Sequence, residues 1–141
     1  MIQQNAGGGG GGGGLSADAQ ALLNAHNGYR AKHCVPNLTW SADLAATAQA
    51  WASGCKMNGS AFVHSGVPGE NSHWAYPPGS QAASAAVDSW YNEISAYNFN
   101  NPGFSSATGH FTQVIWRAST QLGCAKATCG KFPANVPPAC K

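Results

Sequence analysis

Residues 109–116 read Gly-His-Phe-Thr-Gln-Val-Ile-Trp. From Phe111 to Trp116 the stretch is aromatic and β-branched, and with residues 121–127 it reads as a pair of strands. Arg117-Ala118-Ser119-Thr120 joins them, a loop short enough for antiparallel pairing. Working upstream across the Asn100-Asn101-Pro102-Gly103 turn, Val87, Trp90, Tyr91 and Ile94 fall at i, i+3, i+4 and i+7. They form the clearest helical stripe in the chain, on a helix that follows Pro77-Pro78-Gly79.

Two further helices precede it. Ser41 and Asp43 are a start signal for one carrying Leu44, Ala45, Ala48, Trp51, Ala52 and Cys55 at helical spacing, an apolar face with a thiol on it. Ser16 and Asp18 start the other, which runs through Leu22, Leu23, His26, Tyr29 and Arg30 and is ended by Pro36. A short strand around Ala61-Phe62-Val63-His64 separates the second and third helices. The order helix, helix, strand, helix, strand, strand predicts an α+β fold with helices packed on a small sheet.

The chain begins differently. Gly7 to Gly14 are eight consecutive glycines, which bury no side chain and lose the most entropy on ordering, so residues 1–14 read as a flexible tail. Residues 15–141 read as one domain with one core, burying roughly two thirds of the unfolded surface. Charged residues are 9% of the 141 and the net charge of +2 is scattered, which speaks against nucleic acid as a partner. No stretch approaches the ~18 apolar residues of a membrane span, and Met1-Ile2-Gln3-Gln4 lacks the regions of a signal peptide, as a mature form would. Five cysteines, Cys34, Cys55, Cys124, Cys129 and Cys140, lack the close pairs of a zinc ribbon and imply disulfides in an oxidising compartment. The odd count leaves at least one unpaired. Cys34, at a helix end where glycine is more natural, is the candidate.

In a chain that avoids charge, His64, Glu70, Glu93 and His110 stand out. Imidazole and carboxylate together suit a divalent ion, either as ligands or as partners that orient water. No two of them share the spacing of an HExxH helix, and on residues alone two surface glutamates and two hydrogen-bonded histidines with nothing in common are the better description. By the ~100° step per residue, Glu93 lies about a quarter turn outside the apolar stripe of its helix, at the edge of the core.

The stretch 109–116 resembles, nearly letter for letter, the signature of the CAP superfamily of cysteine-rich secretory, antigen five and pathogenesis-related class one proteins. Four other matches keep the family order: His26-Asn27 with Arg30, Leu38-Thr39-Trp40, His64-Ser65 with Gly69-Glu70-Asn71, and Trp90-Tyr91-Asn92-Glu93. Residues 90–116 look most like the fungal branch. The resemblance implies an αβα sandwich, helices on both faces of a mainly antiparallel sheet, with His64, Glu70, Glu93 and His110 in a central cleft as a divalent-metal site for zinc or magnesium. His26 has a structural role in similar proteins.

Fungal members are known as sterol and fatty-acid binders through an aromatic loop, whose spacing Tyr97, Phe99 and Phe104 fit. Such rings can line an apolar slot, each contributing about 1.5–3 kcal/mol on burial. Similarity also implies the disulfides Cys55–Cys129 and Cys124–Cys140. Relatives continue into a final strand with a Cys-Asn-Tyr-type motif, where this chain reads Pro137-Pro138-Ala139-Cys140-Lys141, so the sheet is expected to lack its last strand. The expected function is a secreted, extracellular lipid-binding module, monomer or weak dimer. The alternatives are an effector that contacts a host or cell-surface protein and a metal-dependent hydrolase, the latter disfavoured because the chain has neither a GxSxG elbow nor HExxH.

Overall fold

A computed structural model describes residues 2–6, 14–58 and 61–130. Helix α1, Ala17–Ala31, starts as expected: Ser16 Oγ accepts the Ala19 amide at 3.2 Å and Asp18 lies in the first turn, where the helix dipole favours negative charge. Helix α2, Ala42–Ser53, starts in the same way, with Ser41 Oγ accepting the Leu44 amide at 3.3 Å. Cys55 lies just past its end, with φ of +46°, rather than on the helix. Helix α3, Ser84–Tyr91, continues into a 3-10 turn over Asn92–Ala96, and Val87 and Trp90 on its stripe are buried.

The segment 111–116 is not a strand. Gly109–Val114 form a helix, α4, that buries Phe111 and Val114, three residues apart, on one side. Two tertiary contacts override the β-propensity of these residues. The Glu93 carboxylate accepts the Phe111 amide at 3.0 Å, one of the donors that a helix start leaves unpaired. Arg30, fully buried, donates to the carbonyls of Pro36, Val114, Trp116 and Ser119, which draws the chain after α4 into a compact turn.

Strand β1 is Ile2–Ala6, β2 Thr39–Trp40, β5 Glu70–Ser72 and β6 Gln121–Ala125, and they form one sheet in the order β2-β6-β1-β5. β3, Met57–Asn58, and β4, Ala61–Phe62, pair separately, so the strand expected near residues 61–64 stands outside the main sheet. Residues 2–6, read from sequence as part of a tail, are a strand inside the fold, antiparallel to β6 on one side and β5 on the other. Their main-chain groups are what the sheet uses, a contribution that side-chain patterning does not display. The expected loss of a last strand concerns residues beyond 130, which lie outside the described residues.

Side chains alternate across β6. Leu122 and Cys124 enter a cluster with Leu22, Leu38, Val87, Trp90 and Val114, from α1, α3 and α4 and the segment before β2. Ala125 meets Ala48, Ala52 and Trp51 of α2 on the opposite face. At Gly123 the backbone of α2 comes so close that a Cβ would lie 2.2 Å from the Ala45 nitrogen. Helices thus cover both faces of a mainly antiparallel sheet, the α+β sandwich expected.

Cys55 and Cys129 are bonded, and Cys34 is an exposed free thiol with φ of +54°. Cys124 is a buried thiol among the described residues, and Cys140, the partner that the resemblance implies for it, lies outside them. Cys124 faces the apolar cluster, where burial pushes its thiol pKa well up and keeps it protonated.

Candidate functional site

Two histidine–glutamate pairs make up the candidate site. Glu70, at the start of β5, has a side chain only 2% exposed. Its carboxylate accepts from His64 Nδ1 at 2.8 Å, from the Ser65 amide and from the Ser65 hydroxyl, while the His64 side chain is 55% exposed. In the second pair, Glu93 on the 3-10 turn accepts from His110 Nδ1 at 2.7 Å. His110 sits in the first turn of α4 with its ring 6.4 Å from that of Trp90. Asn71, next to Glu70, donates to the His110 carbonyl at 3.0 Å and ties β5 to α4.

The structure therefore brings the four expected residues together in twos rather than as one ligand set. Among the described residues, no group of three or more His, Cys, Asp or Glu is placed to hold a metal ion. Both carboxylates are already engaged as acceptors, which fits them to orienting an imidazole rather than to binding an ion. A carboxylate on Nδ1 holds the proton there and leaves the Nε2 lone pair as the ligating atom. The part of the expected set that suits a divalent cation is thus His64 and His110, with Glu70 and Glu93 behind them. Ser65 and Asn71 complete the arrangement and were not picked out as site residues from the sequence. Their signal was adjacency, since each directly follows a member of a pair.

The aromatic loop lies against the same helix. Tyr97 is half-buried, with ring centroids 4.9 Å from Phe99 and 5.2 Å from Phe111. Phe99 is 59% exposed and Phe104 84% exposed. Phe104 lies over Gly109, where a Cβ would meet its ring at 3.1 Å, one residue from His110. Tyr97 and Phe99 thus pack their rings with Phe111, and Phe104 covers Gly109. Two clefts, of about 350 Å³ and about 450 Å³, lie elsewhere, one lined by Phe62, Trp74, Pro78 and Ala86, the other by Leu15, Leu22, Trp40 and Cys124. No helix among the described residues is long and apolar enough to cross a membrane.

Comparison with known proteins gives a consistent result. The family model "CAP: Cysteine-rich secretory protein family" matches residues 23–136. Protein PRY2 of Saccharomyces cerevisiae is 44% identical over 112 residues, which are 78% of this chain and 32% of that protein. Repressed by EFG1 protein 1 of Candida albicans is 46% identical over 79% of this chain and 40% of its own length. Human Golgi-associated plant pathogenesis-related protein 1 is 41% identical over 76% of this chain and 71% of its own. The chain thus spans about a third to two fifths of the two yeast relatives.

Proposed function

The chain belongs to the CAP, or cysteine-rich secretory protein, family, and from that premise we propose that it is an extracellular lipid-binding protein whose ligand, of the sterol class, docks on the Phe99–Phe104 loop. The observation that carries this reading is the exposure of two phenylalanines on one short loop, 59% and 84%, in a chain that buries Phe111 and Trp90 completely or nearly so. Exposed rings on one loop offer apolar contact area, and a rigid ring system has the flat apolar face that such side chains can cover. The Cys55–Cys129 disulfide supports an oxidising, extracellular setting.

Within this reading His64 and His110 would each offer Nε2 to a divalent ion, with Glu70 and Glu93 fixing the tautomer. The ion would supply positive charge beside the loop. Binding rather than turnover is the role we assign, because both carboxylates that could act as a base are held by main-chain or side-chain donors.

Labelled cholesterol, titrated with and without zinc into the unaltered chain and into the Phe99→Ala, Phe104→Ala double variant, tests the proposal. Saturable binding that falls at least about tenfold in a folded variant supports it, since two lost ring contacts of this size are worth more than 1.4 kcal/mol. Equal retention by both chains overturns it.

A further inference from the structure

β1 is bonded on both sides, in the registers Gln3 opposite Cys124 on β6 and Gln3 opposite Asn71 on β5. Among the described residues, β1 is the strand that joins β5 to β6. Five residue pairs on one side and three on the other bind it through main-chain donors and acceptors, a mode of recognition that any extended segment of the right length can satisfy.

The route from β1 back to α1 is long. Ala6 stands opposite Gln121, whereas Asp18, at the start of α1, is paired with Lys126, five residues further along the β6 direction. Five residues of extended chain cover about 17 Å. The connection has a span of that order to recover, and its ten residues, 7–16, can reach about 33 Å. The covalent link therefore permits the strand to fill its own slot without enforcing it.

We propose that β1 is an exchangeable strand: the slot between β5 and β6 accepts residues 2–6 of a second copy of this chain in the same antiparallel register, giving a reciprocal dimer. The tethered strand acts at an effective concentration of the order of millimolar, so the closed monomer prevails at micromolar protein and the exchanged dimer grows in above that. Occupancy matters for the candidate site, because Gln4 and Gln3 pair with Glu70 and Asn71, the residues that hold His64 and bond the His110 carbonyl. Exchange between copies keeps both sites intact; an empty slot leaves β5 without its sheet partner.

Two experiments on the full chain test this. Deleting Gly7 to Gly14 leaves only Leu15 and Ser16 between Ala6 and α1, and four Cα steps to Asp18 reach no more than about 14 Å. The shortened link disfavours closure on the strand's own slot, and light scattering is expected to report a larger dimer fraction than the full chain shows at tens of micromolar; the same monomer fraction as the full chain, with native circular dichroism, overturns the proposal. The second experiment does not depend on that deletion folding. Full-length chains carrying Gln3→Cys, Cys34→Ser and Cys124→Ala are mixed with chains carrying Cys34→Ser alone and oxidised mildly. A bridge between positions 3 and 124 can then form only between copies, and its yield is expected to rise at least about tenfold from tens of micromolar to millimolar protein. Absence of that bridge at every concentration overturns the proposal.

Discussion

Nδ1 of His110 lies 2.7 Å from Oε1 of Glu93, and the second oxygen of the same carboxylate holds the Phe111 amide at 3.0 Å. One side chain therefore orients the imidazole and starts the helix that carries it. Glu93→Gln keeps an acceptor for the amide but offers an N–H toward Nδ1, which favours the tautomer with its proton on Nε2 and no lone pair there. Zinc affinity, measured by calorimetry, is expected to fall 10–100-fold, the usual range for losing such a partner. Unchanged affinity would show that the carboxylate does not prepare the histidine for an ion.

A second prediction concerns the contact of β6 with α2. A Cβ on Gly123 would sit 2.2 Å from the Ala45 nitrogen and 2.4 Å from the Leu44 carbonyl carbon, both main-chain atoms that cannot rotate aside. Gly123→Ala is expected to destabilise the fold by about 3 kcal/mol, at the upper end of overpacking costs. Gly28→Ala, on the exposed side of α1 with open space around the new methyl, is expected to stabilise by about 1 kcal/mol instead. Urea denaturation of the two variants checks the opposite signs; equal effects would mean that α2 can lift away from the sheet.

The contrast between these two glycines shows what could be read before the structure. Local signals were legible: Ser16 and Ser41 cap their helices, and Val87 and Trp90 mark the face of α3 that is buried. Long-range contacts were not. The helix over Gly109–Val114 depends on Glu93, some seventeen residues away, and on Arg30, more than eighty residues away, so its aromatic and β-branched composition points to the wrong element. β1 was missed because a strand held through its backbone needs no hydrophobic alternation. Four site residues were identified from a family resemblance, but their division into two hydrogen-bonded pairs is a matter of tertiary geometry. No spacing in the sequence encodes it.

The Cys55–Cys129 disulfide spans 74 residues, from the end of α2 to the segment after β6. Closing a loop of that size in the unfolded chain removes entropy worth about 4 kcal/mol. Reduction, or the Cys55→Ala, Cys129→Ala double variant, is expected to lower unfolding free energy by about that amount with little change in the folded spectrum. A loss below about 1 kcal/mol would mean that the unfolded chain is already compact in this region.

His26 supplies a pH dependence whose sign can be worked out. It is fully buried on α1, its Nδ1–H donates to the Leu22 carbonyl at 2.8 Å, and its ring lies 6.1 Å from Trp90. Burial is the main reason its pKa is lowered from 6.5 to about 4, partly offset by that hydrogen bond, with the Arg30 charge lowering it further. The unfolded chain therefore binds this proton more readily than the folded one. Stability from the neutral imidazole is fully present above pH 6.5 and is lost as pH falls from there towards 4, by on the order of 3 kcal/mol. The His26→Gln variant, which cannot titrate, is expected to start less stable at pH 7 and to lose correspondingly less over the same interval. Parallel curves for the two proteins, measured by urea denaturation at each pH, would place the acid sensitivity elsewhere in the fold.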